Sequence, residues 1–214
     1  MQNNILSISG LILATMLLWA SCKKPEASVT PPPPDNEYLT TVKIVAVNRA
    51  DSNDVVTATW VDLTPDDLNP PDTSNAILNL RANSVYDAKV FFLDETQSPP
   101  GDITAEIKDR QNYHLIFFQP TPVAPADTVS GVAYTTIPGT PASPNGPYLN
   151  LHVARTDLDN NNPPLPIGLT DKFTTGAASS GHLEVLVRHQ PDGKNGTYAP
   201  GSVDGDVTFR VTIN

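Results

Sequence analysis

From Leu39 to the end of the chain, apolar residues fall in short alternating runs, separated by clusters of Pro, Asp, Asn and Gly. A period of two puts successive side chains on opposite faces of a strand, so each run predicts a strand with one face in a core. Val42 and Ile44, flanked by Val45 and Val47, make the first strand. In the second, Val56, Ala58 and Trp60 share a face, which assigns Trp60 to the core, with Thr57 and Thr59 behind them. Further runs lie at 77–80, 85–93, 113–119, 129–135, 149–155, 182–189 and 207–213. The last is the clearest, with Val207, Phe209, Val211 and Ile213 pointing one way and Thr208, Arg210 and Thr212 the other. Residues 102–110 (DITAEIKDR) place Ile103 and Ile107 four apart behind a capping Asp102, the pattern of a short surface helix. No other stretch keeps a 3.6-residue period, and the 22 prolines are incompatible with long helices. The pattern predicts an all-β fold over residues 38–214: a β-sandwich, immunoglobulin-like, of eight or nine strands with one short surface helix. The 26 residues from 156 to 181 exceed an ordinary loop. They hold either a functional loop or a further strand, for which 172–175 is the candidate.

The N-terminus follows a different pattern. Residues 5–21 (ILSISGLILATMLLWAS) form an uncharged run of 17. A spanning helix needs about 20 apolar residues, whereas this run ends in small residues, as a signal peptide does. Leu18-Trp19-Ala20-Ser21-Cys22 resembles a lipobox, in which small residues precede a cysteine that is acylated before cleavage. Trp19 stands where the common pattern has Leu, and the opening MQNN lacks the usual Lys or Arg. Lys23 and Lys24 follow the cysteine. The resemblance implies a signal peptide over 1–21 and a Cys22 carrying acyl chains such as palmitate. An uncleaved anchor would give nearly the same topology. Residues 22–37 then form a tether, because Pro31, Pro32, Pro33 and Pro34 favour an extended polyproline helix with no core.

Composition narrows the function classes. Cys22 is the only cysteine, so there is no disulfide framework. Pro plus Gly is 22 + 12 = 34 of 214 residues, below the share of a disordered chain, so the body folds. The charge is 13 − 23 = −10, all of it after residue 21. An acidic surface repels phosphate backbones, which excludes nucleic acid as a partner and leaves divalent cations compatible.

Candidate chemistry is sparse. Asp157, Asp159 and Asn161 space oxygens at i, i+2 and i+4, as in the first half of a calcium loop. Glycine is missing at the sixth place, and Gly168 stands where a terminal Glu belongs. Without a ligand the same residues make an ordinary turn. Asp62, Asp66 and Asp67 form a weaker acidic loop. Of the four histidines, His189 shares a face with Leu183, Val185 and Val187, and His114 shares one with Ile116 and Phe118. Two histidines ending apolar strand faces can meet, and Glu106 or Asp109 from the preceding helix can join them as a zinc site. Each alone reads equally as a hydrogen-bonded structural residue. His182 falls with Glu184 and Arg188, and His152 opposes Leu149, Leu151 and Val153, which assigns it to solvent. Trp60, Tyr134 and Tyr148 are the aromatic candidates for stacking on a sugar. No GxSxG elbow is present, and Ser180 and His182 offer no positioned nucleophile–base pair, so the chain reads as non-catalytic.

The segments Val56-Thr57-Ala58-Thr59-Trp60-Val61-Asp62, Asp102-Ile103-Thr104-Ala105-Glu106-Ile107, Phe173-Thr174-Thr175-Gly176-Ala177 and Arg188-His189-Gln190-Pro191-Asp192-Gly193 are similar to a set of Bacteroidota lipoproteins. These are commonly labelled "type 1 periplasmic binding fold superfamily protein", and the resemblance covers about residues 40–214. That label names an α/β fold with long helices, which this chain's pattern lacks. The resemblance implies no reaction. It implies placement at the outer membrane, accessory to an uptake receptor. The expected function is thus a non-catalytic cell-envelope lipoprotein that binds a ligand or partner, a receptor or glycan, through its loops. A zinc- or calcium-binding accessory protein and a structural or adhesive domain are the alternatives.

Overall fold

The computed structural model describes residues 38–64, 69–124, 137–138, 140, 142–143, 145–191 and 193–214. The predicted strand at 129–135, the segment 1–37 with Cys22, and Asp66, Asp67 and Tyr134 lie outside them. The elements are β1 (Thr41–Asn48), β2 (Asp51–Val61), β3 (Ile77–Leu80), β4 (Val85–Asp94), β5 (Gly101–Asp102), α1 (Ile103–Asp109), β6 (His114–Thr121), β7 (Leu151–Arg155), β8 (Thr170–Thr175), β9 (Ser179–His189) and β10 (Ser202–Ile213). The larger sheet runs β2-β1-β4-β8-β7, with β5 paired to β4, and the smaller runs β3-β10-β9-β6. Among the described residues, every pairing of these strands is antiparallel except that of β3 with β10. An immunoglobulin sandwich places strands A, B, E and D in one sheet and C, F and G in the other. Here β1, β4, β8 and β7 occupy the first set of places, and β6, β9 and β10 the second. β2 extends the larger sheet as a hairpin beyond β1. Two strands exceed the expected set: β8, which contains the 172–175 candidate, and the two-residue β5.

The alternation seen in the sequence is what closes the sandwich. β10 buries Val207, Phe209, Val211 and Ile213, β4 buries Tyr86, Ala88, Val90 and Phe92, and these faces meet around Phe173, Leu183 and Val185. Trp60 is half-buried against this core. In α1, the Asp102 carboxylate accepts from the Ala105 amide at 3.0 Å, while Ile103 and Ile107 sink into the core. A second apolar cluster, Leu115, Phe117, Ile137 and Leu186 with Tyr198, covers the outer face of the smaller sheet. β6 is therefore buried on both faces through most of its length. His152 departs from its assignment to solvent: it is 2% exposed. Alternation separates two faces of a strand but reports solvent only where one face stays open, and β7 is covered on both at that point.

Candidate metal centre

β6 and β9 pair so that His114 stands directly opposite His189. The two imidazoles stack, with ring centroids 4.8 Å apart and planes inclined by 18°. β10 lies on the other side of β9, and there the register slips between Val203 and Gly205, leaving Asp204 as one extra residue. Such a bulge re-aims a side chain. Here it brings an Asp204 carboxylate oxygen to 3.8 Å from His114 Nε2 and 3.9 Å from His189 Nδ1. One nitrogen from each histidine and one oxygen from Asp204 lie within 4.8 Å of one another. The side chains are 0%, 10% and 4% exposed for His114, His189 and Asp204.

The tautomer of His114 follows from its partner. Nδ1 lies 3.1 Å from the Arg110 carbonyl, which only accepts, so Nδ1 carries the proton and Nε2 presents its lone pair toward Asp204. Burial, aided by the charges of His189, Arg110 and Lys194 and opposed by the bond to Arg110, pushes its pKa down to about 4. At neutral pH the ring is uncharged. A backbone carbonyl on the remote nitrogen is the support that orients metal-binding histidines. Tetrahedral zinc with N and O ligands near 2.0–2.1 Å sets them roughly 3.3 Å apart, so each histidine must draw about half an ångström closer to Asp204 and the two imidazole nitrogens must approach each other as well.

The loop from β9 to β10 is wired to hold His189 in place. The Gln190 amide donates to the Tyr113 carbonyl at 2.6 Å, and Gln190 Nε2 donates to the carbonyls of Thr197 and Pro200, both at 2.9 Å. Arg188 donates to the carbonyls of Pro200 and Gly201 at 2.8 and 2.6 Å, with its guanidinium 4.4 Å above the Tyr198 ring. Gly201 has φ +81°, and a Cβ there would overlap the His189 carbonyl. Only glycine suits both conditions.

The structure brings His114 and His189 together, and Asp204 supplies the carboxylate expected from α1. Glu106 pairs instead with Arg110 at 3.4 Å, and Asp109 is exposed on the helix. The calcium candidates turn to donors of the protein itself. Asp157 accepts from the amides of Gly168 and Leu169. Asp159 accepts from the amides of Asn161 and Leu165 and meets the Lys194 ammonium at 2.7 Å, while the Asn161 side chain donates to Asp159 at 2.8 Å. Tyr148 is half-buried. Asp204 escaped the sequence reading. Its signal was the break in alternation at Asp204-Gly205-Asp206, just ahead of the regular run from Val207.

No protein-family model, curated protein or solved structure matches the chain. Among the described residues, no helix is long and apolar enough to cross a membrane.

Proposed function

We propose that this chain is a lipid-anchored envelope protein whose sandwich holds a divalent transition-metal ion, zinc foremost, between His114, His189 and Asp204. The observation that carries the reading is the bulge in β10, which directs a carboxylate to two stacked imidazoles, one with its lone pair fixed inward by the Arg110 carbonyl. Two imidazoles and a carboxylate form a borderline donor set that suits zinc. The recess beside Asp204, bounded by Leu39, Ile107 and Val187, is too narrow to admit a substrate, which favours holding the ion over catalysis with it. A bound ion would clamp β6, β9 and β10 together at one end of the sandwich. The lipid anchor rests on the motif ending at Cys22, which would place that metal outside the cytoplasm.

The full chain, purified in detergent and stripped with chelator, is expected to take up one zinc per molecule by calorimetry and elemental analysis. At zinc a hundredfold above Kd the fold gains about 2.7 kcal/mol, a rise of roughly 5–10 °C in melting temperature for a domain this size. Asp204→Asn and His189→Gln should each abolish the uptake and the rise. Zinc binding unchanged in both variants, or no uptake by the parent chain, would defeat the proposal.

A further inference from the structure

His182 lies seven residues before His189 on β9, about 23 Å along the strand. It stands opposite Arg210 of β10, and together with Thr208 they floor an open cleft of about 480 Å³ walled by Thr73, Ser74 and Ala76. The wall is fixed: the Arg210 amide donates to the Ala76 carbonyl at 2.9 Å, the Ala76 amide to Thr73 at 3.0 Å, and the Ser74 amide to the Asp72 carboxylate at 2.9 Å.

The arginines set this cleft apart. Arg49 pairs with Asp87, Arg81 with Asp54 and Arg110 with Glu106. Arg155 lies over Phe117 and donates to the Ile116 carbonyl, and Arg188 is caged by the carbonyls of its loop. Among the described residues, Arg210 alone of the six has no such partner. This is so in a chain with 23 acidic residues and a net charge of −10. The acids on the same face, Glu184 and Asp206, hydrogen-bond to each other. A guanidinium with five donors in a rigid fork is matched by two oxygens of one oxyanion. The imidazole and the hydroxyls of Thr73 and Thr208 add further donors, and the volume is that of a small-molecule pocket.

We propose that this cleft binds the oxyanion group, carboxylate, phosphate or sulfate, of a small molecule, with Arg210 as its fork and His182, Thr73 and Thr208 around it. The site is independent of the metal centre, since it shares no residue with it.

The test is calorimetry on the full chain in detergent at low salt. The probes are glucuronate, glucose 6-phosphate and inorganic sulfate, with glucose as the neutral control. The acidic probes should bind and glucose should not. Arg210→Gln should weaken the acidic probes at least tenfold with its melting temperature unchanged, while Arg49→Gln should leave their binding intact. The tightest of the three identifies the source of the oxyanion. Binding of glucose as tightly as the acids, indifference to Arg210→Gln, or no binding of any probe at millimolar concentration would each overturn the proposal. None of these results bears on zinc at Asp204.

Discussion

Asp171 sits on β8 between Ala88 of β4 and Arg155 of β7, with its side chain in the interior and 2% of its surface exposed. Neither of its oxygens has a hydrogen-bond partner among the described residues. Burial, and then the charge of Asp157, raise its pKa well above the usual carboxylate value, with Arg155 pulling the other way. A raised acid binds its proton more tightly in the fold than in the unfolded chain. Its contribution to stability is therefore complete below the unfolded value, about 3.9, and is lost as pH rises toward the folded one. Asp171→Asn keeps the shape and removes the ionisation. Urea melts of this variant are expected to show stability no lower than the parent at pH 7, with a weaker decline between pH 4 and 7. A variant clearly less stable at neutral pH, with the parent's pH profile retained, would mean that the carboxylate is held charged by Arg155.

At the scale of elements, three connecting segments are stitched together near His114 by one buried ion pair. Lys194, in the β9–β10 loop, meets Asp159 at 2.7 Å with both side chains at most 1% exposed, and it also donates to the Gln111 carbonyl at 2.9 Å. The Asn160 amide donates to the Asn112 side chain at 3.0 Å. Burial alone would raise the Asp159 carboxyl, but the Leu165 amide and Lys194 bring it below its ordinary value, so it stays charged. Removing one partner of such a pair strands the other charge, at a cost of about 3–5 kcal/mol. Lys194→Met should therefore lower unfolding free energy by that amount, and adding Asp159→Asn, which removes the stranded charge while keeping an acceptor for the Asn161 and Leu165 amides, should restore much of it. A single-variant loss under about 1 kcal/mol would show that the pair is not what joins the loops. Asp159 also shows where sequence reading stops. Its spacing announced oxygens aimed into a loop, yet the cation they meet is an ammonium 35 residues later, which only tertiary packing brings there. Strands announce themselves by alternation, and the meeting of His114 with His189 followed from their shared apolar faces. Asp204 stayed hidden because a bulge belongs to the pairing of two strands and not to either strand's own pattern.

Taken as a whole, the chain divides at its proline tract. Residues from Asn36 to Asn214 form one compact unit with a continuous core between two sheets. Residues 37–214 alone are expected to unfold in a single cooperative transition. A sloping, probe-dependent melt would show that the preceding segment contributes to the core. On the proposed reading, attachment to a membrane depends on the other part. An acidic domain of charge −10 gains nothing from an anionic bilayer surface. Each acyl methylene buried contributes about 0.8 kcal/mol, so the two chains of one diacylglyceryl group joined to the Cys22 sulfur would suffice for stable anchoring. Mass spectrometry of the protein from its native membrane is expected to find residues 1–21 absent and Cys22 as an acylated first residue. An intact Met1 with an unmodified thiol would overturn the lipoprotein reading and leave the apolar run 5–21 as the segment to test for membrane attachment.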